Sequence, residues 1–298
     1  MKKKKIVVLT GAGISAESGV KTFRDADGLW EGHDVEQVAT PYGFQKNPEL
    51  VLNFYNGLRK QLKSVQPNAA HLLLAELQKD YEVVVITQNV DDLHERAGSK
   101  NIIHLHGELL KMRSADDPNE IYDCTGDIKV GDLTPTGAQL RPHIVWFGED
   151  VPLIVKAAEE VESADIVLVI GTSLQVYPAA GLMNCAEDNV PIYYIDPRPS
   201  ISSKGRLTVI AEKASTGVAM SNFPKFILGD NTDMPDAMFV VHLEYPRFVL
   251  NLDTDEVEWL EEFEEEDTKE LEAESENLIA EAFNFYEREV ARIEEDNY

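Results

Sequence analysis

Four short apolar, mostly β-branched or aromatic runs recur along the first two hundred residues: Ile6–Leu9 (IVVL), Glu82–Thr87 (EVVVIT), Asp165–Ile170 (DIVLVI) and Pro191–Ile195 (PIYYI). Runs of this length without polar alternation predict strands buried on both faces, and the helical stretches between them predict a parallel α/β sheet. The runs end in Gly11-Ala12-Gly13, Gln88-Asn89-Val90-Asp91, Gly171-Thr172-Ser173 and Asp196-Pro197-Arg198. Open α/β sheets bind ligands at the carboxyl ends of their strands, so these clusters mark the candidate site.

The segments between the runs differ in texture. Residues 32–60 read as helical lid material, starting a helix at Asn47-Pro48 with apolar Leu50, Val51, Phe54 and Leu58. Arg113 to Pro142 is rich in Asp, Gly, Pro and Thr and reads as a small excursion from the main sheet. After Met220 a hairpin is expected from Phe239–Leu243 and Phe248–Leu252 around Tyr245-Pro246-Arg247. A helix follows from about Thr268 to Glu295, with Leu271, Leu278, Ala282, Phe285 and Ile293 at helical spacing, read as packing on the main domain. The expected architecture is therefore a Rossmann-like parallel α/β sheet with helices on both faces. A main domain spans 1–222, with small-domain insertions about 32–60 and 113–142, and an acidic C-terminal extension spans 223–298.

Composition narrows the class. A chain of 298 residues, 43% of them hydrophobic, can bury a full core. No apolar run approaches the roughly 20 residues of a membrane span, and the segment after Lys2–Lys5 is too short for a secretory signal. Two cysteines, Cys124 and Cys185, argue for a reducing compartment, with the cytoplasm as the expected location. The net charge of −27 is concentrated: residues 251–298 hold 20 acids against 3 bases. Such a tail reads as a solvated segment or as a docking element for a basic protein partner, and the scarcity of clustered Lys and Arg disfavours direct nucleic-acid binding.

The opening carries the first chemical signal. Gly11, Gly13 and Ala16 follow a strand in the G-x-G-x-x-G/A pattern, where glycine lets the backbone approach a pyrophosphate. An ordinary dehydrogenase would continue to a second strand ending in a ribose-binding acid about 20 residues on. Here that window holds Thr22, Phe23, Arg24, Asp25, Gly28 and Trp30, which reads as a loop covering a nucleotide. His106 is a candidate general base because imidazole titrates near neutrality, although position alone leaves His71, His94, His104 and His143 available.

In order along the chain stand GAGIS, TFR, TQNVD, LHERAG, HLHGEL, LRPHIVWFGE, GTSLQVYPA and ASTGV. With these motifs, over about residues 4 to 220, the chain resembles the sirtuin family of NAD-dependent protein lysine deacylases, and most of all the bacterial branch that includes protein desuccinylases. The resemblance implies that Gly11, Ala12, Gly13, Ser15, Ala16, Thr22, Phe23, Arg24 and Trp30 embrace NAD as co-substrate. It implies that Gln88, Asn89 and Asp91 hold ribose hydroxyls and the nicotinamide carboxamide, Asn89 and Asp91 acting with His106 in catalysis. Gly171, Thr172 and Ser173 would bind phosphate and adenosine ribose, and Asp196, Pro197, Arg198 and Ala214 would line the adenosine end. Asp196 stands where the family usually has Asn.

For the substrate, the resemblance implies that Val145, Trp146, Phe147, Gly148 and Glu149 pair with an extended acyl-lysine peptide by strand addition. The acyl oxygen would attack C1′ of the ribose, nicotinamide would leave, and His106 would activate a ribose hydroxyl on the way to free lysine and O-acyl-ADP-ribose. The branch's acid-binding Tyr-x-x-Arg pair is incomplete: Tyr55 is present, but Leu58 occupies the arginine position, and Arg59 lies about 100° further round the helix. Ala39 matches the small residue that widens the branch's pocket. A roomy pocket favouring acetyl or neutral longer acyl groups is expected.

One family feature is missing. The family places a four-cysteine zinc knuckle between HGEL and VWFGE, yet between Gly107 and Val145 stands only Cys124, with Ser114 where the first cysteine would be. A tetrahedral thiolate site needs four ligands, so no metal ligand is assigned and zinc is not expected. Two other functions fit parts of the pattern: a mono-ADP-ribosyltransferase or NAD hydrolase, and a non-catalytic NAD-responsive module whose acidic tail recruits a basic partner. Retention of Asn89, Asp91 and His106 favours the deacylase, because a mere binder has no use for a base at C1′.

Overall fold

The four apolar runs are strands in the computed structural model, which describes residues 3–20, 29–30, 32–221, 226–231, 234–242, 248–260, 275, 277–288 and 290. β1 (Lys5–Thr10) leads through α1 (Ala12–Ala16) to a short ribbon, β2 (Leu29–Trp30) and β3 (His33–Asp34), then to helices α2 (Val35–Val38), α3 (Pro41–Lys46) and α4 (Pro48–Leu62). α5 (Ala69–Glu76), β4 (Glu82–Thr87), α6 (Leu93–Ala97) and β5 (Ile102–His104) follow, and then β6 (Gly107–Ser114), β7 (Ile121–Asp123) and β8 (Leu140–Ile144). The chain continues through α7 (Ile154–Glu162), β9 (Ile166–Ile170), β10 (Ile192–Ile195), β11 (Leu207–Ile210) and α8 (Ala214–Ser221).

Six strands form one sheet in the order β11-β10-β9-β1-β4-β5, every pairing parallel. Alternation along the buried strands supplies two cores. Val7, Leu9, Val84, Ile86, Val167 and Val169 pack with Ala157, Val161 and Leu182 on one face. Ile6, Val8, Val83, Val85, Leu168 and Ile170 pack with Ile14, Ala70, Leu74, Ala214 and Val218 on the other. Helices thus cover both faces, and the expected Rossmann-like arrangement is present.

The stretch expected as helical lid is α2, α3 and α4. Asn47 caps α4 by accepting the Leu50 N–H at 3.1 Å, with Pro48 at the first helical position. The excursion at 113–142 belongs to an antiparallel sheet in the order β7-β6-β8. Its attachment to α4 is polar. Asn56 donates to Ile128 O and accepts from Ile128 N–H, both at 2.9 Å. Arg59, only 1% exposed, donates to Gly126 O at 3.0 Å and to Leu109 O at 3.1 Å. Leu52, Cys124, Ile128 and Leu140 form a small apolar core beneath these bonds. Backbone groups in a loop of this kind require partners once buried, and α4 side chains provide them.

The chain divides into two compact units, Met1–Val218 and Ala219–Tyr298. The second holds an antiparallel sheet, β12 (Phe226–Asn231), β13 (Met234–His242), β14 (Phe248–Asn251) and β15 (Val257–Trp259), paired in that order. The expected hairpin is the β13–β14 pair, although Leu243 and the turn at Tyr245-Pro246-Arg247 lie outside the described residues. Residues 277–288 are helical, within the expected helix. Leu278 and Ala282 pack on Val240, Phe248 and Leu250, so this helix closes a core of its own unit's sheet, where the sequence suggested packing on the main domain. The flanking strands β12 and β15 are too short and irregular to show in a hydrophobicity pattern.

Candidate active site

β1 lies between β4 and β9, so the chain leaves this centre in opposite directions along the sheet. A crevice opens at the carboxyl ends of strands where the order reverses. The turn after β1 and the turn after β9 interlock there. Gly11 N–H donates to Ile170 O at 3.0 Å and Gly13 N–H to Gly171 O at 2.8 Å. A Cβ on Gly13 would lie 2.6 Å from Gly171 Cα, and Gly171 itself has φ +61 with a virtual Cβ 2.3 Å from Ile14 N. The physical reason for these glycines therefore differs from the one expected. They let two strand-end loops pass in contact, and the amides of Gly11 and Gly13 are committed to carbonyls of the neighbouring strand. Ala12 is half-buried beside them, and Ala16, at the end of α1, is exposed.

The loop after β4 delivers three polar residues to this crevice. Asn89 Nδ2 donates to Gly11 O and to Ser15 Oγ, each at 3.1 Å. Ser15 Oγ–H donates to Asp91 Oδ2 at 3.0 Å, and Leu93 N–H to Asp91 Oδ1 at 3.1 Å. Burial pushes the Asp91 carboxyl up, against the lowering effect of the hydrogen bonds from Leu93 and Ser15. Gln88 Nε2 donates to Thr172 Oγ1 at 3.1 Å, tying the β4 end to the β9 end. Tyr194 O–H donates to Thr172 O at 2.9 Å, while Ser173 is half-buried. At the end of β10, the buried Asp196 accepts the Arg198 N–H at 2.8 Å, with Pro197 and Arg198 exposed. Ala214, buried, begins α8, whose Ser215 N–H donates to Glu17 of the first loop at 3.0 Å. Thr22, Phe23 and Arg24 lie outside the described residues; Trp30 pairs with His33 in the β2–β3 ribbon.

His106 sits in the two-residue connection between β5 of the parallel sheet and β6 of the small sheet. Its Nδ1 is 3.1 Å from Gln88 O. A carbonyl only accepts, so Nδ1 carries hydrogen and the neutral ring leaves its lone pair on Nε2. Burial lowers its pKa, partly offset by the bond to Gln88. Next to it Gly107, at φ +86, packs with its virtual Cβ 2.1 Å from His143 O, a position no other residue could occupy.

The residues expected to meet substrate are also gathered. Ala39, Tyr55 and Trp146 share one core cluster, with Leu58 packed against it. Trp146 Nε1–H donates to Tyr55 Oη at 3.0 Å, and burial raises the Tyr55 phenol far above its ordinary range. Arg59 points into the small sheet, so it does not replace the absent arginine. Val145 N–H donates to His106 O, Phe147 N–H to Ala39 O and Glu149 N–H to Trp146 O, at 2.9, 2.9 and 3.0 Å. Trp146 N–H donates to Glu149 Oε2 at 2.8 Å. With these four amides committed, a substrate strand would have to pair through carbonyls or through Gly148. The Glu149 carboxylate is bound by Arg141 at 2.7 Å and Arg113 at 3.2 Å, an ion triad the sequence did not suggest because the pairing of β6 with β8 is what brings Arg113 to the other two. Arg141 also lies 3.2 Å from the Trp146 ring centroid.

Where the family has its zinc knuckle, Cys124 is buried with its thiol directed to Gly126 O at 3.5 Å. Among the described residues, Glu95, His104 and Glu108 lie close together outside residues 113–142, but both His104 ring nitrogens face acceptors, Glu95 Oε1 and Asn89 O, so this is a hydrogen-bonded ion pair and not a ligand set. One thiol does not fit a tetrahedral zinc site. The Asn56 and Arg59 bonds hold the segment in its place.

Comparisons with known proteins agree with this geometry. The Sir2 family model matches residues 11–178, and a domain of unknown function (DUF8828) matches residues 227–295. An NAD-dependent protein deacylase of Helicobacter pylori is 62% identical over 195 residues, covering 65% of this chain and 85% of that protein. One from Bacteroides thetaiotaomicron is 56% identical over 222 residues, covering 72% and 95%. The crystal structure of a Sir2 homolog–NAD complex superposes with TM-score 0.65 at 40% identity, covering 72% of this chain and 87% of that one. A Sir2–p53 peptide–NAD+ structure superposes with TM-score 0.61 at 29% identity, covering 73% and 91%. Interlocked glycine turns, a histidine at the junction of two sheets, and a Sir2 family match over residues 11–178 agree: the chain belongs to the Sir2 family.

Proposed function

We propose that this chain is an NAD-dependent protein lysine deacylase, releasing nicotinamide, free lysine and O-acyl-ADP-ribose. The observation that carries the reading is His106: a neutral imidazole with Nδ1–H spent on Gln88 O and Nε2 left to take a proton, beside Asn89 and Asp91. NAD is the substrate that supplies an electrophilic ribose carbon. Asn89 and Asp91 orient its ribose, Ser15 and Thr172 offer hydroxyls along the crevice, and Asp196 accepts from the adenosine ribose; the phosphates are assigned to Arg24 by the family resemblance alone, since it lies outside the described residues. His106 then accepts the proton of a ribose hydroxyl as that oxygen attacks the activated acyl group. Strand addition along residues 145–149 holds the acyl-lysine, so a weak sequence preference is expected.

Leu58 in the arginine position, beside apolar Ala39, supports neutral acyl groups, acetyl foremost. Residues 219–298 carry 24 acids and 5 bases, which supports a basic protein as the partner drawn to this unit. Among the described residues no helix is long and apolar enough to cross a membrane, and Cys124 and Cys185 are unpaired, which supports a cytoplasmic location.

The test is incubation with NAD and a panel of acetyl-, succinyl- and longer acyl-lysine peptides, following nicotinamide release and peptide mass together. Peptide-dependent loss of the acyl group, abolished in His106→Ala, is the expected result. Nicotinamide release without deacylation would replace this reading by an ADP-ribosyltransferase or NAD hydrolase. A partner drawn by charge is tested with the full chain: turnover on a lysine-rich protein should fall between 50 and about 300 mM salt while turnover on a short neutral peptide holds.

A further inference from the structure

Four consecutive carbonyls of the loop that carries Gln88 and Asn89 are gripped by one short stretch of chain. Thr87 O accepts Leu105 N–H at 2.9 Å, and Val90 O accepts Leu109 N–H at 2.8 Å. Between them, Gln88 O is held by His106 Nδ1 and Asn89 O by His104 Nδ1, each at 3.1 Å. Two histidines two residues apart therefore hold neighbouring peptide groups, and only His106 has a role so far.

Their second nitrogens face different surroundings. His104 Nε2 lies 2.7 Å from Glu95 Oε1 on α6, with the imidazole only 8% exposed. A carboxylate and a carbonyl are both acceptors, so each ring nitrogen of His104 carries hydrogen and the ring is an imidazolium. Burial alone would lower its pKa, but the Glu95 hydrogen bond and charge, with Asn89 O and Glu108, raise it above the ordinary value. The other charged and titratable groups around it are the Glu108–Lys111 ion pair at 2.7 Å on β6, the buried Asp91 and the buried neutral His94. His106 is bonded instead to a carbonyl, Gln88 O, and burial shifts it the other way. Environments that push two histidines apart divide a charged holder from a neutral base.

We propose that His104, charged by its ion pair with Glu95, is a positioning residue that fixes the Asn89–Val90 peptide so that the Asn89 amide and His106 address the same ribose. The charge-assisted bond to Asn89 O stiffens the backbone from which the Asn89 side chain reaches Gly11 O and Ser15 Oγ. His104 touches no reacting atom and acts through Asn89. Loss of its proton weakens the grip, so kcat/KM gains an alkaline limb set by His104, while the acid limb belongs to His106.

The experiment measures kcat, KM for NAD and kcat/KM against pH for the full-length wild type, Glu95→Gln, His104→Gln, His104→Ala and His106→Ala. Glu95 is exposed at the surface, so Glu95→Gln leaves the fold intact, which thermal melting checks. His104→Ala should lose about tenfold in kcat, about 1.4 kcal/mol of transition-state stabilisation, with KM for NAD changed much less. His104→Gln, which keeps a donor for Asn89 O, should restore most of that loss and erase the alkaline limb. Glu95→Gln should move the limb to lower pH by at least about one unit. Identical pH profiles in wild type, Glu95→Gln and His104→Gln, or wild-type kcat in His104→Ala, would overturn the proposal. The inference rests on His106 as the base, and the two fail separately: an active His106→Ala sinks that assignment, whereas an inactive one beside unchanged His104 variants sinks this one alone.

Discussion

The hydroxyl of Tyr55 accepts the indole N–H of Trp146 at 3.0 Å, with both side chains buried. This bond joins α4, which carries the residues proposed for the acyl pocket, to the strand end expected to hold the substrate peptide. Tyr55 thus has a structural duty beside any contact with an acyl group. Tyr55→Phe should leave a buried indole donor unpaired and cost about 1–3 kcal/mol, measured by urea denaturation.

Acyl choice is proposed to turn on the neighbouring position. Leu58 is one helical turn beyond Tyr55 and packs against the same cluster. Leu58→Arg should raise the ratio of succinyl to acetyl kcat/KM by about tenfold or more, the worth of one charge-assisted pair. An unchanged ratio with a folded variant would remove this position from acyl selection.

The small sheet should depend on α4 instead of a metal. Asn56→Ala removes both bonds to Ile128 at once, and a loss of about 2–4 kcal/mol in stability is expected, read by thermal or urea unfolding. Prolonged dialysis against a strong chelator should leave the wild-type melting temperature where it was. A chelator-induced drop would mean that donors beyond Cys124 hold zinc.

Acid should destabilise the first unit through two buried histidines in contact. His71 and His94 are buried with ring centroids 4.8 Å apart, and burial lowers their pKa values to about 4 and about 3. The unfolded chain binds protons to both near pH 6.5 while the folded one does not, so stability is full above pH 6.5 and falls as pH drops toward 4 and then 3. At pH 5 each contributes a loss on the order of 2 kcal/mol. His71→Asn should flatten the dependence of unfolding free energy between pH 7 and 5, and an unaltered slope would refute the assignment.

The interlocked turns make a ligand prediction. Gly13→Ala pushes a methyl group to 2.6 Å from Gly171 Cα, and backbone cannot rotate away as a side chain can. The variant should melt well below the wild type without ligand, and should lose the rise in melting temperature expected of the wild type with NAD.

Much of this was legible in the chain. The runs IVVL, EVVVIT, DIVLVI and PIYYI announced their strands because burial on both faces forbids polar alternation, and each strand end then pointed to its site residues. The roles of Arg59 and Arg113 were not legible, since each acquires its partner, Gly126 or Glu149, only through contacts far apart in sequence; that of Arg141, eight residues from Glu149, depends on how the chain turns after β8. His104 was hidden for a similar reason: its bond to Glu95 on α6 separates it from His106, and spacing carries no trace of that. Of the second unit's sheet only the central hairpin was legible; β15 is three residues long, and β12 turns polar and shifts register at Asp230/Asn231.

Only Leu105 and His106 separate the last strand of the parallel sheet from the first strand of the small one. Any rocking of the small sheet against the large one pivots near these two residues. In a lever, displacement grows with distance from the fulcrum, so Tyr122 at the far strand would sweep widely while the His106 ring hardly travels. An enzyme that opens to admit an extended peptide and closes over it can thereby keep its base aligned throughout the cycle.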